Sequence, residues 1–422
     1  MINFKHLRHE YKEQITYLFK WLVISLLVGG LIGSASALLL HALEFATLYR
    51  DNHFWIIALL PLAGLAIGLM YHYWGETVVK GNNQIVDEYH KPEKIIPLKM
   101  APLVLIGTFL THLFGGSAGR EGSAVQMGSA ISDQFSRWFK LDSLDRKILL
   151  IIGISGGFAS VFGTPLAGTV FALEVLIIGR LRYEAILPSM LTAFIANTTC
   201  NLWNVHHTHY SIPEVPNINF QNILWVILCG IIFGIGAMLF SKMTHFWTSI
   251  FKTKIKFPPL RPVIGGIILA VVIFAIGNTR YIGLGIPVIQ ESFLNELSSS
   301  DFILKLLFTS FTLGAGFKGG EVTPLFFIGA TLGNALVFFV PLPFALLAGM
   351  GFVAVFSGAT NTPLACILMG IELFGAESAL YIGLACVVSY LFSGHSGIYS
   401  SQVIGSPKNN RRSLKSKLLR DL

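Results

Sequence analysis

Charge is scarce in this chain: only 12% of its 422 residues are Asp, Glu, Lys or Arg, against 53% hydrophobic residues, and the mean hydropathy is +0.67. That balance excludes an ordinary soluble domain and describes an integral membrane protein. Cysteine is scarce too. Cys200, Cys229, Cys366 and Cys386 show no paired spacing and sit in or beside apolar stretches. This excludes a disulfide framework or a zinc site and leaves small packed side chains. The N-terminal segment lacks a short apolar core followed by a small-residue cleavage site, so no removable signal peptide is expected and the first span is retained. His206, His207 and His209 have no second ligand group at useful spacing and read as a solvated loop. His9-Glu10 misses the zinc-protease pattern, because Glu13 stands where the second histidine is required. No metal and no cofactor is expected. The basic runs carry no interleaved aromatics and flank apolar spans, which argues against nucleic acid as a partner.

Apolar runs fill most of what remains. Trp21 to Leu43, Phe54 to Tyr71, Ile148 to Ile178, Ile223 to Phe240, Val263 to Ile276 and Val340 to Val355 recur along the chain, and each long one has the length of a bilayer span. Others, such as Ala101 to Phe114, Ala185 to Ala196, Ile303 to Leu313 and Leu364 to Leu373, are too short to cross ~30 Å of hydrocarbon at 1.5 Å per residue. These predict half-helices. The 42 glycines and 17 prolines gather at their ends, and a broken helix at membrane depth survives only where protein or a watery cavity satisfies its backbone. Channels and secondary transporters use that geometry. The fold class expected is all-α and polytopic, surrounded by membrane lipids.

Net charge is +8, and the basic excess lies outside the spans. Lys5, Arg8 and Lys12 precede the first run, Lys252, Lys254 and Lys256 lie in the central loop, and Arg411, Arg412, Lys415, Lys417 and Arg420 come last. The positive-inside rule puts both termini and the middle loop in the cytoplasm, with the chain crossing the cell's inner (plasma) membrane many times.

The chain is internally duplicated. Gly163-Thr164-Pro165-Leu166-Ala167 with Glu174 recurs as Asn361-Thr362-Pro363-Leu364-Ala365 with Glu372, an offset of 198 in both features (362 minus 164; 372 minus 174). Gln126-Met127-Gly128 meets Phe327-Ile328-Gly329 at an offset of 201. The division expected is a cytoplasmic segment 1–14, a first repeat 15–210, a second repeat 215–402 and a basic tail 403–422. Transporters built this way commonly have inverted repeats, with the ion site between them near the midplane.

Two Gly-rich breaks hold carboxylates: Gly119-Arg120-Glu121-Gly122-Ser123 and Gly319-Gly320-Glu321-Val322-Thr323-Pro324. A charge at the bilayer centre costs roughly 2.5 kcal/mol or more, so such a residue reads as an ion or proton site. Thr164-Pro165, Thr323-Pro324 and Thr362-Pro363 each place a capping hydroxyl before a proline suited to a first helical turn, and Gly122-Ser123 opens a helix in the equivalent way. Helix N-termini carry unpaired N–H groups and about half a positive charge, enough to attract an anion without a lysine. Glu121 beside such an end occupies an anion's place until it is protonated or swings aside, which makes it gate and proton carrier together. The competing reading is a permanent structural pair with Arg120. Glu174 and Glu372, as symmetry mates, point to packing or capping. Glu44 and Glu377 receive no role.

Gly119 to Ser123, continued by Ala124-Val125-Gln126-Met127-Gly128, resembles the GREGP signature of the CLC chloride channel and transporter family. Gly320-Glu321-Val322-Thr323-Pro324 is similar to that family's GxFxP motif, Gly81-Asn82-Asn83-Gln84-Ile85 to its GSGIP segment, and Gly397-Ile398-Tyr399 to the segment with its pore tyrosine. Asn82 in place of the anion-coordinating serine, together with Gly-Gly-Glu-Val-Thr-Pro, resembles the fluoride-exporting branch. Chloride exchangers of the family carry an inner proton glutamate one position after the residue matching Glu174, and here that position is Val175.

The resemblance implies a CLC-type fold of two inverted repeats, a homodimer with one pathway per subunit, and a fluoride/proton antiporter driven by inward proton flow. It implies an anion path of Asn82, the amides of Gly122, Ser123, Glu321 and Val322, and the Tyr399 hydroxyl. Glu121 moves the proton and is received by Glu321 and Thr323, with Gly119, Arg120 and Gly320 as motif support. Fluoride is small and strongly hydrated, so it needs donors that replace its water. A chloride/proton exchanger or chloride channel is the alternative, differing in selectivity. A more distant alternative is an intramembrane serine protease, prompted by Gly394-His395-Ser396-Gly397 and Gly115-Gly116-Ser117-Ala118-Gly119, with no convincing histidine or orienting carboxylate. The short polar tail leaves no room for the nucleotide-sensing domains that some relatives append.

Overall fold

The computed structural model describes residues 4–409 and 412–422, without the side chains of residues 4–10 and 412. Residues 1–3 of the expected cytoplasmic segment, Arg411, and the side chains of Lys5, Arg8, His9, Glu10 and Arg412 therefore lie outside what is described. Sixteen α-helices are seen among the described residues, and they form two series in the same order. The first is Phe4–Asn52, Leu60–Tyr73, Asn82–His90, Met100–Leu113, Glu121–Trp138, Ser143–Phe162, Pro165–Glu174 and Ile186–Leu202. The second is Phe220–Lys254, Leu260–Ile276, Ile286–Glu291, Asp301–Gly314, Val322–Ala335, Phe344–Thr360, Pro363–Phe374 and Ala379–Phe392. The helices at residues 11–52, 54–73 and 220–254 are long and apolar enough to cross a membrane by themselves, and most of the rest are shorter.

The apolar run Ile148 to Ile178 is not one span. Gly163 closes the helix Ser143–Phe162 in the left-handed conformation, φ 76°, and Thr164-Pro165 starts another. Glycine takes that conformation without penalty, and proline is tolerated at the first helical position. The helix Glu121–Trp138 is the opposite case. It is rich in serine and carries Gln126 and Asp133, yet Ser123, Ser129, Ser132 and Asp133 are fully buried. It packs on Ser143–Phe162, as its counterpart Val322–Ala335 packs on Phe344–Thr360. Glycines allow both approaches. A Cβ at Gly128 would lie 2.4 Å from the Gly153 carbonyl oxygen, and one at Gly329 2.0 Å from that of Gly351. Without a hydrophobic driving force between helices in lipid, such small-residue contacts hold them together.

The expected hydroxyl caps are absent at all three Thr-Pro steps. Thr164 and Thr362 make no side-chain cap bond, and Thr323 sits inside its helix, whose N-cap is Glu321. Carboxylates from the other repeat cap instead. Glu174 accepts from the amides of Leu364 and Ala365 at 3.2 and 3.0 Å, while Glu372 accepts from Leu166 and Ala167 at 3.0 and 2.7 Å. Each stands late in one helix and closes the start of its mate, the reciprocity expected of two repeats related by a twofold axis. Two helix N-termini of the expected four are thus filled by resident carboxylates. Glu174→Ala should strip the acceptor from two amides and cost about 1–3 kcal/mol. The variant should show a lower unfolding temperature in detergent, with Glu174→Gln losing less; an unchanged transition for both would contradict the capping role.

Residues near both ends of the described chain are tied to its body. Tyr17 donates to the Glu184 carbonyl at 3.0 Å, Lys20 pairs with Asp145, and Arg420 reaches Asp87. The short strand Val403–Ile404 pairs in parallel with Ile177–Ile178.

Candidate anion and proton site

The two Gly-rich breaks meet each other. Gly119 N–H donates to the Gly320 carbonyl at 2.6 Å and Gly320 N–H returns to Gly119 at 2.8 Å, an isolated antiparallel bridge between equivalent residues of the repeats. There is no room for a side chain at either. A Cβ on Gly119 would lie 2.9 Å from Pro324 Cδ, and one on Gly320 2.7 Å from the Gly122 nitrogen.

This contact brings Glu121 over the start of the facing helix. Glu121 is fully buried; its Oε2 accepts from the Thr323 N–H at 3.0 Å and its Oε1 from the Thr323 hydroxyl at 2.6 Å. Thr323 is the second residue of Val322–Ala335, so its N–H is one that the helix itself leaves unpaired. The carboxylate also accepts from the Arg120 N–H at 3.2 Å. The Arg120 guanidinium stands off, its Nε 3.6 Å from Oε1 and without a hydrogen bond among the described residues. The main hold on Glu121 is therefore the helix end, and the arrangement accommodates one negative charge.

Cavities lie on either side. A vestibule of about 870 Å³ is lined by Arg50, Arg120, Arg280, His207 and Thr208, among others. Arg120, His207 and Thr208 also line a cavity of about 20 Å³ that ends on Glu121 and Thr323, the size of roughly one water. Beyond Glu121, Gly122 packs beside the Asn82 amide, and Asn82 with Tyr399, Val125 and Phe171 lines a second cavity of about 20 Å³. Asn82 opens the helix Asn82–His90 behind Gly81, whose φ of 56° strains any other residue. Asn82 Oδ1 and Glu321 Oε2 are buried without a hydrogen-bond partner among the described residues.

Of the residues read from the sequence, Glu121 and Thr323 touch, Gly119 and Gly320 pair, and Asn82 and Tyr399 share a cavity. Glu321 and Val322 begin the receiving helix, with no hydrogen bond seen from Glu321 to Glu121. Ser123 differs from expectation. Its N–H is spent on the Arg120 carbonyl at 3.1 Å and its hydroxyl lies 2.6 Å from that of Thr108. The sequence reading missed Thr108 and His112, whose ring nitrogens face the carbonyls of Thr108 and Ala118 at 2.8 and 3.0 Å. It also placed His207 in a solvated loop, whereas the ring lies half-buried against Gly163. Burial, and then Arg120, lower the His207 pKa to about 4, so this ring is neutral at pH 7. No local pattern marks these three residues, because their partners are set by tertiary packing.

The protease constellations are not assembled. Ser396 Oγ donates to the Ser393 carbonyl at 2.7 Å and Ser117 Oγ lies 2.8 Å from Thr309 Oγ1. Among the described residues no group of three or more His, Cys, Asp or Glu side chains is placed to hold a metal ion.

Comparison with known proteins decides the family. The model of the voltage gated chloride channel family matches residues 63–394. The chain belongs to the CLC family. It is 52% identical over 413 residues to a chloride/fluoride channel protein of Pseudomonas syringae pv. tomato, covering 96% of this chain and 91% of that one. Its fold superimposes on the crystal structure of a CLC-type fluoride/proton antiporter with a TM-score of 0.88 and 37% identity, over 90% of this chain and 97% of that one. A slow cyanobacterial Cl-/H+ antiporter shares the fold at TM-score 0.77 and 23% identity, over 88% and 94% of the two chains. As a CLC chain this is an integral membrane anion transporter and not an enzyme.

Proposed function

We propose that this CLC chain is a fluoride/proton antiporter that exports fluoride from the cytoplasm, driven by inward proton flow. The observation that carries the reading is the Glu121 carboxylate seated on Thr323 at a helix N-terminus, held by both the N–H and the hydroxyl. An ionised carboxylate and an anion compete for the same two donors. Protonating Glu121 removes its charge and weakens its claim on them, so anion entry and proton uptake become alternatives at one place. Fluoride, a strong hydrogen-bond acceptor, then finds Thr323, Asn82 and Tyr399 as donors along the way, together with the amides of Gly122, Glu321 and Val322. The neighbour solved as a CLC-type fluoride/proton antiporter, at 37% identity, supports fluoride over chloride, while the 52% identical relative is named for both ions.

The protein acts as a homodimer with one pathway in each subunit, in the inner membrane with both termini cytoplasmic. The basic excess at both ends supports the orientation. Purified protein in liposomes should move fluoride with protons and largely exclude chloride, and Ser396→Ala should leave both fluxes unchanged. Comparable chloride flux would reject the fluoride assignment and leave a chloride exchanger.

A further inference from the structure

Residues 412–422 are not a loose basic extension. Val403 pairs with Leu418 as an antiparallel bridge, and the backbone exchange continues on both sides. Ile404 N–H donates to Lys417 at 2.9 Å, Ser416 N–H to Ile404 at 2.7 Å, Leu419 N–H to Gln402 at 3.0 Å and Arg420 N–H to Ser400 at 3.0 Å. Leu419 is buried in a small apolar cluster with Ile178 and Ile404. The segment that follows Tyr399 is therefore held between two edges, Ile177–Ile178 on one side and residues 416–420 on the other.

The same segment is tied to the helix that carries Asn82. Asn83 Oδ1 accepts from the Ser401 N–H at 3.0 Å. Arg420 Nη1 lies 3.3 Å from both Asp87 Oδ1, on the Asn82 helix, and Ser401 Oγ. Asn82 and Tyr399 face one cavity of about 20 Å³, and Asn83, next to Asn82, is bonded to Ser401, two residues after Tyr399. A gap of that size discriminates between halides only if its walls keep their distance.

We infer that the edge segment 416–420, with Arg420 as a positioning residue, sets the separation of Asn82 and Tyr399 and thereby the anion preference of the transporter. Leu419 anchors the segment in the apolar cluster, the backbone bonds fix its position, and the Arg420 guanidinium spans the two pore-lining elements. Nothing here requires the tail to touch the anion. The inference rests on the antiporter reading and deepens it by naming what governs selectivity.

The test uses the full chain in liposomes, with fluoride and chloride fluxes measured side by side. Leu419→Asp, which expels the anchor, should lower the fluoride-over-chloride preference roughly fivefold or more, and Arg420→Ala roughly twofold, since small misplacements of a binding wall are costly. Arg420→Lys should recover most of the Arg420→Ala loss. On a Tyr399→Phe background, where the hydroxyl is already gone, the same tail changes should add no further loss of preference. Unaltered preference in Leu419→Asp would overturn the inference. So would an equal additional loss on the Tyr399→Phe background, which would mark general loosening instead of positioning. Absence of fluoride flux in the unmodified protein would instead reject the antiporter reading itself, so the two failures are distinguishable.

Discussion

Glu121→Gln should end proton coupling. The substitution keeps the shape of the side chain but removes the ionisable oxygen that Thr323 holds at 2.6 Å. With no group at that place able to gain and lose a proton, proton movement tied to fluoride should fall about a hundredfold or more, the scale of losing a positioned proton carrier. Coupled exchange should disappear with it. The check is a paired recording of fluoride and pH in proteoliposomes. Retention of proton movement in this variant would mean that another group carries the proton, and the role given to Glu121 would be wrong.

Gly320→Ala should abolish transport of both ions by a different route. Its Cβ would lie 2.7 Å from the Gly122 nitrogen, closer than a side-chain carbon comes to backbone, so the two breaks must part. Parting them lengthens the paired hydrogen bonds of Gly119 and Gly320 and carries Glu121 away from Thr323. A displacement near 1 Å suffices to cost on the order of a hundredfold when reacting groups must be aligned, and fluoride flux should fall by about that factor. Protein that inserts normally yet transports at the unmodified rate would show that the contact between the breaks is not needed.

The sequence made some of this architecture legible, for physical reasons that differ from element to element. The duplication was readable because Thr-Pro steps and their trailing glutamates recur at one offset, and the reciprocal caps of Glu174 and Glu372 are what that offset encodes. The meaning of the offset was less visible. A Thr-Pro step looks like a self-capped helix, whereas the cap comes from the other repeat, about two hundred residues away in the chain. Two of the four helix ends expected to face an anion are closed for this reason. Glu121–Trp138 could not be read as a buried core helix from hydropathy, since its serines and Asp133 make it polar; glycine contacts with the next helix bury it instead. The pairing of Glu121 with Thr323 depends on two breaks meeting across the repeats, which no local pattern states. His207 and the edge segment 416–420 carried no local signal of their contacts, because their surroundings exist only once the chain has folded.

The central claim is that one acid and one halide contest a single seat at the start of the helix Val322–Ala335. The most direct measurement loads proteoliposomes with equal fluoride inside and out and imposes only a pH gradient. If the seat is shared, protons running down their gradient drive fluoride uphill in the opposite direction, and Glu121→Gln does not. If fluoride stays level across the membrane while the pH gradient persists or decays, the ions do not exchange at that seat and the account fails.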